Sequence, residues 1–262
     1  MSAITDLIDV YLKTFQIGNK SPSEFEVRLN EDRLNKQSFD SIYRDLCKHG
    51  FKVETREYQM KIIPEMSSLR VELNTIIDIQ QLCRTNDFPS NALFVDKKSI
   101  LSDKRSIPNY DFGFRTSIQK EEMYTTKDEN VRRLKENWFK SKKHFRYLYR
   151  TSLTHDRFPY FRIDMSVVRS NKTRTETDKD RKRSRKVPIR CVQFLESNLL
   201  NEHPSYEVEI ECVNVTKEMA IDKDKRKELK LDIQSQLKKI IKYSVGAIQG
   251  SSFPVPYPEL TT

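Results

Sequence analysis

Two hydrophobic patterns alternate along this chain: runs in which apolar residues recur every three or four positions, and runs in which apolar and polar residues exchange one by one. The first pattern predicts helices. Ile4, Leu7, Ile8, Tyr11, Leu12 and Phe15 mark a helix over residues 3–16, which Gly18 and Pro22 end. Phe39, Ile42, Tyr43 and Leu46 mark a second over 36–49, and further helices are predicted over 75–85, 128–139 and 222–248. The last carries Leu229, Ile233, Leu237, Ile240 and Ile241 on one face. Strict alternation predicts strands at 24–29, 69–74, 112–121, 145–152, 161–167 and 206–212.

The polar half of these strands is charged, with few of the usual Thr, Ser and Gln. Glu24, Glu26 and Arg28 share one face of the first strand, Arg70 and Glu72 one face of the second, and Arg115, Ser117, Gln119 and Glu121 one face of the third. Arg146 and Arg150 follow, then Arg162, Asp164 and Ser166, then Glu207, Glu209 and Glu211. Same-face residues of a strand lie about 7 Å apart, so the last three form a row of carboxylates that repel one another. An open sheet with one wet face would leave water and salt to screen them. If the strands instead close into a barrel with the charged faces inward, the carboxylates need a cation and the arginines an anion. Hard oxygen ligands select Mg²⁺ or Mn²⁺, and planar guanidinium forks suit phosphate oxygens.

Composition narrows the chemistry. The chain has 262 residues, with 48 Lys and Arg against 38 Asp and Glu, a net charge of +10 that favours an anionic partner. Its five glycines are too scattered for a dinucleotide-binding turn or a P-loop. Four separated cysteines (Cys47, Cys83, Cys191, Cys212), with no histidine placed beside them, predict reduced thiols and no structural zinc, hence an intracellular chain. His49, His144, His155 and His203 are scattered and sit in no nucleophilic-hydrolase signature, and His155-Asp156 reads as a turn. No stretch reaches the roughly 18 apolar residues of a membrane span, so a soluble protein without a membrane partner is expected. Residues 171–190 are dense in Lys and Arg and read as a long hairpin connection, which could touch an RNA backbone, serve as a nuclear-import patch, or be only a solvated loop. Pro254, Pro256 and Pro258 make the end of the chain read as a linker, giving one domain over 1–250 and a linker over 251–262.

Three segments taken in order, Glu24-Phe25-Glu26, Arg162-Ile163-Asp164-Met165-Ser166 and Glu207-Val208-Glu209-Ile210-Glu211, resemble the signature strands of the triphosphate tunnel metalloenzymes. Within that superfamily the chain is most similar to the metal-dependent RNA triphosphatases of fungal and large-DNA-virus mRNA capping systems, over about residues 20–215. The resemblance implies an α+β fold built on a closed antiparallel eight-stranded β-barrel, with α-helices buttressing it from outside. It implies a divalent metal, Mg²⁺ or Mn²⁺, held by Glu24, Glu26, Glu209 and Glu211 with Glu207 nearby. Arg70, Arg146, Arg150 and Arg162 would hold the β- and γ-phosphates, and Asp164 and Ser166 would support both shells. Glu121 would orient the attacking water, and Lys97 or Lys98 would add a phosphate contact. The family's R-x-K-x-R strand reads Arg146-Tyr147-Leu148-Tyr149-Arg150 here, so Leu148 replaces its lysine, and Lys143 or Arg115 is the expected substitute.

The implied activity is hydrolysis of the γ-phosphate of 5′-triphosphate RNA, the first step of cap formation. No K-x-D-G motif is present, so guanylyl and methyl transfer would come from fused domains or separate proteins, and the proline-rich end reads as the link to such a guanylyltransferase domain. The expected location is the cytoplasm, in a viral factory or virion, if the source is viral, and the nucleus if it is cellular. One rival within the fold is hydrolysis of tripolyphosphate or another small triphosphate. A rival of another class is a non-catalytic basic RNA-binding module, which has no use for three glutamates in a row because they repel the backbone it binds.

Overall fold

A computed structural model describes residues 2–15, 23–29, 34–106, 113–178 and 183–249. Eight antiparallel strands close into a barrel in the order β1-β10-β7-β6-β2-β3-β4-β5. In chain order they are β1 (Ser23–Leu29), β2 (Lys52–Pro64), β3 (Leu69–Leu73), β4 (Leu93–Ser106), β5 (Gly113–Tyr124), β6 (Lys143–Thr154), β7 (Phe161–Ser170) and β10 (Ser205–Cys212). Between β7 and β10 the basic stretch forms a separate two-stranded hairpin, β8 (Thr173–Asp178) and β9 (Arg183–Pro188). Among the described residues six helices accompany the barrel: α1 (Ser2–Thr14), α2 (Lys36–Lys48), α3 (Ile76–Thr85), α4 (Glu129–Asn137), α5 (Lys217–Ile221) and α6 (Lys223–Gln249). The tail 251–262 and the basic residues Lys179, Arg181 and Lys182 lie outside the described residues.

The helices start where local chemistry allows. Asn35 accepts from the Ser38 amide at 2.8 Å at the start of α2, and Thr75 accepts from the Asp78 amide at 3.1 Å at the start of α3, each satisfying an otherwise orphan first-turn donor. Between α2 and β2 the chain turns at Gly50, whose φ of +92° disfavours any side chain and where an added Cβ would stand 3.0 Å from the His155 ring.

The core lies outside the barrel. Because strand side chains alternate, the residues interleaved with the charged ones point outward, where helices cover them. One cluster joins Phe25, Val27, Ile163, Val208 and Ile210 to Leu7, Ile8 and Leu12 of α1, Ile42 and Leu46 of α2, and Ile233, Leu237 and Ile240 of α6. The other joins Met60, Ile62, Val71 and Phe145 to Ile79 and Leu82 of α3, Val131 and Leu134 of α4, and Trp138. Burial of these two apolar layers fixes which face of each strand turns inward. Shifting any strand by one residue would send its apolar set into the charged interior.

Candidate active site

Closure brings together strands that are far apart in the chain. β1 pairs with both β10 and β5, aligning Glu26 with Glu211 on one side and Ser117 on the other. β10 pairs with β7, placing Glu211 beside Arg162 and Glu209 beside Asp164. Glu24, Glu26, Arg70, Lys97, Glu121, Arg146, Arg150, Arg162, Asp164, Ser166, Glu207, Glu209 and Glu211 therefore all stand on inward faces. Lys98 does not. It follows Lys97 on a strand of period two, is 64% exposed, and pairs with Asp96 at 3.0 Å on the outside.

The inward charges satisfy one another. Arg146 donates to Glu207 at 2.7 Å, Arg150 contacts Asp164 at 3.1 Å and Glu209 at 3.2 Å, and Arg162 contacts Asp164 at 3.0 Å and Glu211 at 2.5 Å. Asp164 is 1% exposed and also accepts from the Ser152 hydroxyl at 2.7 Å. Ser166 accepts from Arg150 at 3.3 Å. Lys97 bridges Glu24 and Glu121, both at 2.8 Å, while Arg70 holds Glu121 at 3.2 Å and also pairs with Glu72. Arg28 pairs with Glu209 and lies 3.5 Å from Glu26. Beside this lattice a cavity of about 430 Å³ opens between Glu57, Gln59, Arg150, Ser152, Arg162 and Asp164.

Burial and neighbours set opposite charge preferences along the acidic rows. Burial opposes ionisation of Glu209, but Arg28 and Arg150 outweigh it and hold its carboxyl at about 2. Glu121 is likewise held below the usual range, since Lys97 and Arg70 overcome its burial. Glu26 moves upward, through burial and then the nearby Glu209, and Glu24 and Glu211 move upward chiefly through burial. One buried oxygen of Glu26, Oε1, has no hydrogen-bond partner.

One of the two expectations about the lysine missing from β6 needs correction. Lys143 sits on the outward face of β6, and its ammonium donates to the carbonyls of Trp138, Ser141 and Val192 at 2.6, 2.9 and 2.7 Å, so it takes no part in the interior. Arg115 does face inward, beside Arg28. The alternation of predicted strands passed over β2, which carries Glu57, Gln59 and Lys61 on its inward face, opposite Arg150, Leu148 and Arg146.

This barrel, lined with charge and clad in helices, has solved counterparts. The S. pombe Pct1 RNA triphosphatase superposes with a TM-score of 0.59 at 14% identity, over 93% of this chain and 91% of that one. The chain shares the fold of that protein. The RNA triphosphatase domain of the trifunctional mimivirus mRNA capping enzyme gives a TM-score of 0.54 at 16% identity, over 92% of this chain and 97% of that one. A monoclinic form of the mimivirus capping enzyme triphosphatase gives 0.53 at 17%, over 95% and 99%. No protein-family model and no curated protein sequence matches the chain. In the tunnel no three Asp, Glu, His or Cys side chains form a ready metal cage among the described residues, because each carboxylate leans toward a cation of the protein. The donor set nonetheless suits a hard cation: it is all carboxylate oxygen, a buried oxygen of Glu26 accepts no hydrogen bond and has only Arg28 at 3.5 Å, and Glu26 and Glu209 crowd one another. Among the described residues no helix is long and apolar enough to cross a membrane.

Proposed function

We propose that this chain is a metal-dependent RNA 5′-triphosphatase that converts a 5′-triphosphate end to a 5′-diphosphate end plus inorganic phosphate, the step that prepares RNA for guanylyl transfer. The observation that carries the reading is the pairing of Arg70, Arg146, Arg150, Arg162 and Lys97 with carboxylates inside an enclosed barrel. Such a lattice can exchange its internal partners for a polyphosphate and a divalent cation together. Glu24, Glu26, Glu209 and Glu211 would hold Mg²⁺ or Mn²⁺, which supplies Lewis-acid neutralisation of the γ-phosphate oxygens.

The protein's own groups would do the rest. Arg150 and Arg162, oriented by Asp164, and Arg146 present guanidinium forks to the equatorial oxygens and stabilise charge as the bond to the leaving oxygen loosens. Glu121, kept ionised by Lys97 and Arg70, accepts a hydrogen bond from water and aligns it opposite the leaving β-phosphate oxygen. The water oxygen bonds to γ-phosphorus as that bridging oxygen departs.

The in-facing cations recognise phosphate oxygens and no base, which favours tripolyphosphate or another small triphosphate as a second reading. Phosphate release from γ-labelled triphosphate-ended RNA, measured with and without Mg²⁺ or Mn²⁺ and against tripolyphosphate, separates the two. Metal-dependent release that prefers RNA supports the capping reading. Release from tripolyphosphate alone moves the substrate, and tight RNA binding without release indicates a binding module.

A further inference from the structure

Arg28, Arg70, Lys97, Arg146, Arg150 and Arg162 are each held by a carboxylate within 3.5 Å, and Lys61 is not. Lys61 of β2 points inward, and its only ion-pair partner among the described residues is Glu72, at 4.0 Å, a carboxylate already engaged by Arg70. Its side chain is 16% exposed. It feels the guanidinium groups of Arg150 and Arg70 and the carboxylate of Glu209. Burial, together with those two arginines, pushes its ammonium below the ordinary lysine value, so the protein alone does not compensate this charge. Two strands meet here with unlike polarity. β6 presents Arg146, neutral Leu148 and Arg150, and the register of β2 sets Lys61 beside Arg146 and Gln59 beside Leu148. Beside Leu148 the neighbouring strand thus places the neutral Gln59, and its one lysine stands a residue pair further along, next to Arg146.

We propose that Lys61, together with Arg70 and Arg150, forms an anion subsite that takes a phosphate group of the triphosphate substrate. The inference rests on the triphosphatase reading and extends it to a residue on a strand that the signature motifs do not include. A phosphate oxygen placed there would give the ammonium the short, charge-assisted contact it lacks. It would also relieve the repulsion among three cations.

The test compares the wild-type protein, Lys61→Gln and the charge-relocated double variant Lys61→Gln/Leu148→Lys. Three readouts are taken: melting temperature, the Kd for inorganic tripolyphosphate by calorimetry, and KM and kcat for phosphate release from triphosphate-ended RNA. The expected result for Lys61→Gln is an unchanged or higher melting temperature with Kd and KM raised about 10- to 100-fold, the loss of one charge-assisted hydrogen bond. The double variant, which returns a positive charge to the neighbouring strand, should recover most of that loss. Wild-type Kd and KM in Lys61→Gln overturn the proposal. So does a large fall in melting temperature, which makes Lys61 structural, or a double variant no better than the single one. A wild-type protein that neither binds tripolyphosphate nor releases phosphate overturns the triphosphatase reading itself.

Discussion

Lys143 tests whether the two faces of β6 are correctly separated, because it stands five residues before Leu148, an odd number that puts it on the opposite side of the sheet. Its side chain is fully buried, 0% exposed, and its three N–H groups meet three backbone carbonyls at 2.6, 2.9 and 2.7 Å, with the Trp138 ring 4.3 Å from the nitrogen. It thereby ties the end of α4 and the 191–192 segment to the barrel wall. Lys143→Met keeps the stem and removes the donors. Three charge-assisted bonds are worth about 1.5–3 kcal/mol each. Against that, burial pushes the ammonium from its usual 10.5 down to about 8, a cost of about 3 kcal/mol that the substitution relieves. The net loss is about 1–6 kcal/mol, centred near 3, and at about 2–4 °C per kcal/mol for a domain of this size the melting temperature should fall by roughly 6–12 °C. Phosphate release measured well below the transition should stay within twofold of wild type. An unchanged melting temperature refutes the clamp, and lost turnover in a protein as stable as wild type refutes the outward placement of Lys143.

Three further outcomes follow from the same geometry. Burial, then Arg146 and Arg190, hold the inward His144 imidazole at about 4 against an ordinary 6.5, so its neutral form is favoured in the fold; the stabilisation is complete above pH 6.5 and is lost as pH falls through 4, about 3 kcal/mol in all, and His144→Asn should show a flatter fall in melting temperature between pH 7 and 4. Glu26→Ala and Glu211→Ala should each fold, by circular dichroism, yet release no phosphate from triphosphate-ended RNA; wild-type release from either would remove that residue from the site. Lys97→Ala should cut kcat/KM about 10- to 100-fold, the value of a charge-assisted contact, while Lys98→Ala on the outer face leaves it unchanged, and equal effects from the pair would show the register of β4 to be wrong.

Legibility of the fold tracked the cleanness of alternation. β1, β10 and residues 161–167 of β7 exchange apolar and polar residues without interruption because helices cover their outer faces, and their inward-facing residues could be read directly. β2 resisted. Residues 52–57 run through positions that are nearly all exposed, the register slips between Val53 and Thr55, and only from Tyr58 onward does the alternation with Gln59 and Lys61 appear. β4 is regular from Leu93 to Lys98 and then shifts between Ser99 and Leu101, leaving a window too short to distinguish a strand from a loop. The basic stretch 171–190 was legible as a hairpin connection and not as paired strands, since Thr, Arg and Lys alternate there without an apolar face. Side-chain pairing was the least visible part. Nothing in the order of residues indicates that Arg146 meets Glu207 or that Lys97 spans Glu24 and Glu121, because those contacts cross the barrel and depend on closure.

That closure also explains how rows of like charge are tolerated. Two charges about 3 Å apart attract by roughly 5 kcal/mol at the effective dielectric of such sites, so the β10 glutamate row, which would repel itself on an open sheet, is held by arginines from β1, β6 and β7. On the triphosphatase reading, a phosphate that takes the Arg150 and Arg146 N–H groups now held by Glu209 and Glu207 displaces those carboxylates, and a displaced carboxylate left buried and unpaired costs several kcal/mol. On the reading proposed above, the freed carboxylates turn to the divalent cation, so each of the two ligands lowers the cost of binding the other. Lys61 falls outside this exchange because it has no close carboxylate to surrender, which is why its substitution should weaken phosphate binding without unsettling the fold.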